Sequence, residues 1–324
     1  MKIKKLLAVA LTSVLVLAGC GSGGDQKKQD QGKDDAAAKN DKKIVIGVSM
    51  STQANPFFVD VKNGIQKAAD EAGIEIIVTD AQDDAATQQK DIENMITKQV
   101  NAMIIGPCDS DAIVAPIEAC NEAKIPVFTV DRKAKGGDVV AHVGYDAIKS
   151  GNLAGKFLAD RLGGKGNIVE IQGIMGTNVA QDRSKGFNDA IAEYPDMKKV
   201  ATQVANFNRA EGMKVMENIL QANPEIDGLY CANDEMLLGA LEAIEAAKRT
   251  DKIVMVGCDA LDETMTAIRD GKVNATIAEP PFFLGKAILN TALDGINGKE
   301  VESDVILDNQ LVTKDNVDDI KTRE

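Results

Sequence analysis

From Ile44 onward, short runs of β-branched and apolar residues alternate with longer stretches whose apolar positions recur every three or four residues. The first pattern predicts buried strands and the second amphipathic helices. Strands are expected at 44–48, 74–78, 102–105, 126–130 and 139–143. A second set is expected at 167–171, 200–204, 228–231, 253–256 and 275–278. Phe58, Val61, Ile65, Ala68 and Ala72 mark one helical face, and Gly73 supplies the left-handed cap that ends it. Met213, Met216, Ile219 and Leu220 mark another such face and are expected to pack in the core. Strand, helix and strand in repetition predict parallel sheets covered by helices on both faces. Ten strands are many for one sheet, and each half of the chain carries the same rhythm. The pattern therefore predicts an α/β protein of two similar lobes.

Two segments upstream do not share this rhythm. Lys2, Lys4 and Lys5 precede a largely apolar run from Leu6 to Ala18, too short to span a bilayer comfortably. Residues 1–19 thus have the layout of a secretory signal peptide. Leu17-Ala18-Gly19-Cys20 resembles the lipobox of bacterial lipoproteins, which implies a lipid on Cys20 and a membrane anchor outside the cytoplasm. Between Cys20 and residue 42 nothing apolar is larger than alanine, so burial cannot offset the entropy of ordering. This stretch is read as a flexible tether, with a span of about 25 Å for roughly 22 residues.

Charge narrows the function. Fifty acidic against 37 basic residues give a formal net charge of −13, which argues against a nucleic-acid partner. His142 is the one histidine, so a His-rich metal site is excluded, and it falls within an apolar strand pattern where packing is expected. Cys108, Cys120, Cys231 and Cys258 allow three pairings into two disulfides, or four packed thiols. Catalytic motifs fail on inspection. Gly151 to Lys156 is one residue short of a phosphate loop, and Phe157 replaces the required hydroxyl residue. The glycines of 163–166 precede a strand where a dinucleotide fingerprint must follow one. Gly47 to Ser51 lacks the last glycine of a nucleophile elbow. No catalytic residue, metal or cofactor is expected, although a small-molecule-modifying α/β enzyme is the alternative from another class.

In open parallel sheets, ligands collect beyond the carboxyl ends of the strands. Those ends carry Ser51 to Phe58, Asp131-Arg132, Gly176-Thr177-Asn178 with Arg183, Asn206-Phe207, Asn233-Asp234-Glu235, Cys258-Asp259 and Glu279. Planar Asn, Asp and Arg groups can pair with two hydroxyls at once, and phenylalanine offers an apolar platform. The set suits a small, neutral, polyhydroxylated ligand. Taken one at a time, each residue also has a structural role open to it: Asn55-Pro56 and Asn233-Asp234 fit helix caps, and Asp131-Arg132 fits an ion pair.

Several of these stretches are similar to the periplasmic ribose-binding proteins: STQANPFFVDVKNG (51–64), PCDSDA (107–112), VDRK (130–133), IQGIMGTNVAQDRSKGF (171–187), CANDEMLLGA (231–240), VGCD (256–259) and ATIA (275–278). The resemblance runs from about residue 43 to 315. It implies two Rossmann-like lobes joined by a three-segment hinge, with breaks near Asp146, Glu279 and Asp308. Residues 43–145 plus 280–308 would form one lobe, and 146–279 plus 309–324 the other. It also implies no enzymatic activity, a monomer, a sugar or polyol in the cleft, and delivery to the permease of an ABC importer. A sugar sensor for signalling is the alternative within this fold; a repressor would need a DNA-binding helix pair ahead of the lobes. Position by position, the ligand contacts fall on Ser51, Asn55, Phe57, Phe58, Asp131, Arg132, Arg183, Phe207, Asn233 and Asp259. Two positions depart from the family: Gly106 replaces a pocket asparagine and Glu279 a hinge glutamine. Cys258 also stands in place of a phenylalanine. Gly106 frees space, and Glu279 is expected to accept an extra ligand hydroxyl, which favours a hexose or cyclic polyol over ribose.

Overall fold

A computed structural model describes residues 43–324. The signal peptide, Cys20 and the tether lie outside the described residues.

The first half of the chain runs β1 (Val45–Met50), α1 (Pro56–Ala72), β2 (Glu75–Asp80), α2 (Ala85–Thr97), β3 (Ala102–Ile105), α3 (Val114–Glu122), β4 (Val127–Val130) and β5 (Ala141–Tyr145). The second half runs α4 (Ala147–Leu162), β6 (Lys165–Gln172), α5 (Asn178–Ile191), β7 (Asp196–Val204), α6 (Arg209–Ala222), β8 (Gly228–Cys231), α7 (Asp234–Ala246), β9 (Val254–Asp259), α8 (Asp262–Arg269) and β10 (Ala275–Ala278). The chain then adds α9 (Pro281–Ile296), β11 (Asp304–Leu307) and β12 (Gln310–Thr313).

Two six-stranded sheets result, ordered β11-β5-β4-β3-β1-β2 and β12-β10-β9-β8-β6-β7. All pairings are parallel except that of β12 with β10. Each sheet organises one lobe, and the chain crosses between lobes after β5, after β10 and between β11 and β12. Strand alternation sorts side chains to the two faces. On β3, Ala102 and Ile104 join Val61, Ile65 and Leu284 under α1 and α9. Met103 and Ile105 instead join Ile92, Met95 and Ile117 under α2 and α3.

All ten expected strands form, several of them longer than the apolar run that announces them. β11 and β12 have no counterpart in the expected set: each is four residues long and sits at a sheet edge, β11 interleaving exposed with half-buried positions and β12 burying only Val312. Gly73 caps α1 at φ 66°, whereas Ala72 is exposed and the buried face ends at Ala69. Met216 is buried under α6, as its spacing predicts.

The helices that flank each sheet touch through glycines. A β-carbon on Gly151 of α4 would strike the Arg183 carbonyl of α5, and one on Gly186 of α5 would strike the Ile148 carbonyl of α4. Gly64 and Gly285 serve α1 and α9 in the same reciprocal way, as Gly212 and Gly239 serve α6 and α7.

His142 packs inside β5, and its Nδ1 lies 3.0 Å from Thr129 Oγ1. Burial pushes its pKa down to about 4, with a smaller contribution from Lys133. A lowered histidine pKa means the unfolded chain binds the proton first. His142 therefore contributes stability above pH 6.5 that is lost as pH falls toward 4, about 3 kcal/mol in full. As the chain has one histidine, its imidazole resonance can be followed by NMR without ambiguity. The folded protein should show a titration midpoint far below that of a denatured sample; a midpoint near 6.5 would place the ring in solvent.

Candidate functional site

The carboxyl ends of both sheets face a small cavity between the lobes. Asn55, Phe57, Phe58, Asp131 and Arg132 line it from the first lobe. Arg183, Phe207, Asn233 and Asp259 line it from the second. Val179 completes the wall; as one apolar residue in the first turn of α5, it reads in sequence as ordinary core. Ser51, Gly106 and Glu279 do not line the cavity. Ser51 is buried behind the wall, with its hydroxyl unpaired within the protein. Gly106 has its carbonyl bonded by Gln88 Nε2 at 2.9 Å, and a β-carbon there would meet nothing closer than 3.7 Å.

Local structure explains how the two asparagines serve both roles open to them. Asn55 caps α1 with its Oδ1, which accepts from Phe57 N–H at 2.9 Å. Asn233 caps α7 likewise, accepting from Met236 N–H at 2.9 Å. In each case capping occupies the oxygen and leaves the amide nitrogen toward the cleft; that of Asn233 reaches Phe207 O only at 3.4 Å. Three wall residues also hold backbone angles that L-residues seldom adopt: Asp131 at φ 63°, Phe207 at 57° and Asp259 at 127°. Such conformations persist where surrounding structure over-determines them, and they cluster at functional sites.

The two guanidinium groups organise the charge. Arg132 is 2% exposed and donates to Pro107 O at 3.1 Å. It lies 4.9 Å from the Phe58 ring centre and 5.5 Å from that of Phe207, so one cation is held between aromatic faces of both lobes. Arg183 donates to Ala232 O at 2.6 Å, approaches Asp259 Oδ1 at 3.4 Å and pairs with Glu279. The Nε–H groups of Arg132 and Arg183 are buried and have no acceptor in the protein. A buried donor without an acceptor is costly.

The carboxylates supply the opposite polarity. Burial raises the pKa of Asp131 to about 6 against the pull of Arg132 and Arg183, and raises that of Asp259 against Arg183. Behind them, Asp234 accepts from Thr276 Oγ1 at 2.7 Å and Leu261 N–H at 2.9 Å, and burial raises its pKa to about 7. The site therefore presents two paired acceptor groups and two forked donors around an apolar platform.

Glu279 departs from its sequence expectation. Its carboxylate is taken by Ser150 Oγ and Arg183 Nη2, at the place where the chain passes from β10 to α9. It orients Arg183 rather than offering a free oxygen to a ligand hydroxyl. Asn309 Nδ2 donates to Asp146 O at 2.9 Å and Tyr145 Oη to Pro280 O at 3.0 Å, so all three crossings are tied together beside Glu279. Cys258, Asp259 and Glu279 bring ligand-type atoms within 4.8 Å, but Arg183 already supplies the positive charge there. The four cysteines 108, 120, 231 and 258 are buried free thiols.

Comparison with known proteins agrees with this architecture. Residues 46–300 match the periplasmic binding protein domain. The ribose import binding protein of Bacillus subtilis is 38% identical over 303 residues, 93% of this chain and 96% of that one. A xylitol-binding protein of Mycolicibacterium smegmatis is 32% identical over 313 residues, 96% of this chain and 86% of that one. An ABC transporter solute binding protein from Bacillus halodurans, solved with bound myo-inositol, superposes with a TM-score of 0.82. It is 33% identical, and the match covers 86% of this chain and 96% of that one.

Proposed function

The chain belongs to the periplasmic sugar-binding proteins of ABC importers, and we propose that it holds a neutral monosaccharide or cyclic polyol between its lobes for delivery to a permease. One observation carries this reading: the buried guanidinium groups of Arg132 and Arg183 line a cleft that also presents Asp131, Asp259 and three phenylalanine rings. A hydroxyl-rich ring gives oxygens to the guanidinium groups, hydrogens to the carboxylates and C–H faces to the aromatics. An anionic sugar would bring its charge against Asp131 and Asp259, which disfavours phosphorylated sugars and sugar acids.

Gly106 lies outside the cavity wall, so the choice of a hexose or cyclic polyol over ribose is supported by relatives rather than by that departure. The Bacillus halodurans protein, solved with bound myo-inositol, supports a cyclic polyol, and the mycobacterial xylitol-binding protein supports polyols more broadly. Outside the described residues, the basic start, apolar run and Leu17-Ala18-Gly19-Cys20 support lipidation at Cys20. The protein would then act as a tethered monomer at the outer face of the membrane.

Calorimetry against ribose, allose, xylitol and myo-inositol tests the reading. Saturable binding of at least one is expected, with no chemical change in the recovered ligand. Phe207→Ala should weaken that binding by about 2 kcal/mol, as for a buried aromatic anchor. Identical isotherms for Phe207→Ala and the wild type would place the ligand elsewhere.

A further inference from the structure

The lobes also meet outside the cavity wall, where the turn after β3 faces the residues that open α5. Ser110 N–H donates to the Gly176 carbonyl at 3.0 Å across the lobes. Asn178 N–H donates to Ser110 Oγ at 3.1 Å, and Lys133 N–H donates to Asn178 Oδ1 at 2.8 Å. Asn178 is the first residue of α5, so its N–H is one of the donors a helix cannot satisfy internally. The opposite lobe supplies the acceptor. None of Ser110, Gly176 and Asn178 lines the cavity.

The approach is close enough to depend on a missing side chain. Asp109 Oδ1 accepts from Asp111 N–H at 2.9 Å and Ala112 N–H at 2.8 Å, which holds its carboxylate in place. A β-carbon on Gly176 would run into the other oxygen of that carboxylate. The collision exists only while the lobes are together.

We infer that Ser110, Gly176 and Asn178 are positioning residues that latch the closed form and set how long a sugar is retained without touching it. The inference rests on the sugar-binding reading above. Parting the lobes breaks all three hydrogen bonds at once and returns their amides to water. A ligand held by both lobes leaves only after they part, so each bond slows release, by about fivefold for a typical net hydrogen bond. Association starts from parted lobes and does not depend on the latch.

The test uses Gly176→Ala and Asn178→Ala in the full chain. Ribose, allose and myo-inositol serve as probes for release rates, and NMR hydrogen exchange follows the Ser110, Lys133 and Asn178 amides. Release should accelerate by about five- to thirtyfold in both variants, with the association rate and the sugar-free unfolding midpoint unchanged. The three amides should exchange more slowly when sugar is added. Without sugar they should exchange faster in Gly176→Ala than in the wild type. Wild-type release rates in both variants would overturn the latch. If none of the three sugars binds, the sugar-binding reading fails. The sugar-free exchange comparison then decides alone, and equal rates in wild type and Gly176→Ala reject the latch.

Discussion

Replacing Arg183 with alanine should cost about 3–5 kcal/mol of folding stability, the usual penalty for removing one partner of a buried ion pair. The reason lies in what the guanidinium holds together. Arg183 is 3% exposed and contacts Asp259, Glu279 and the Ala232 carbonyl, which come from three different strand ends. Without it, two buried carboxylates face each other with no cation in contact. Sugar affinity should fall as well, by more than about a hundredfold, because a charged donor to the ligand is lost along with its neighbours' positions. Arg183→Lys should recover part of the stability and less of the binding, since an ammonium cannot reproduce the fork. Denaturant unfolding and calorimetry on the same preparations measure both. A stability loss under about 1 kcal/mol would mean that the carboxylates find other partners.

Gly186→Ala should destabilise the protein by about 1–3 kcal/mol, the range for overpacking. In an ordinary helix the same change gains about 1 kcal/mol, so the sign of the effect is the informative part. The added methyl would meet the Ile148 carbonyl of α4, a backbone atom that no rotamer change can move aside. Relief requires α5 to shift away from α4, and α5 carries Val179 and Arg183 at the cavity and Asn178 at the lobe contact. Sugar affinity should therefore drop although the substitution lies outside the cavity wall. A stabilised variant with unchanged binding would show that the two helices are free to separate.

How far the site could be read from sequence depends on the kind of information each residue carries. Strand positions follow from apolar runs, and the sheet's polarity then nominates the loop residues at the carboxyl ends. That logic reaches Asn55, Asp131, Phe207 and Asn233 without any knowledge of contacts. It cannot say which polar atoms are already satisfied inside the protein. Glu279 lies 96 residues from Arg183 in the chain, and only their pairing reveals that it orients a ligand group rather than meeting the ligand. Asp234 presents the same difficulty: after a capping asparagine it reads as a favourable charge at a helix N-terminus. In the fold it is a buried acceptor for Thr276 and Leu261 behind the cavity wall. β11 and β12 escaped because DVIL and QLVT are edge segments that mix polar with apolar positions and so do not register as buried runs.

The last two strands have a consequence for how the molecule comes into being. β11 pairs with β5, made about 160 residues earlier, and β12 closes the other sheet beside β10. A growing polypeptide that has not reached residues 304–313 therefore has both sheets open at an edge. Pairings this distant in sequence are slow to form, since loop closure must precede any gain from contact. The order of synthesis thus delays completion of either half until almost the whole chain exists.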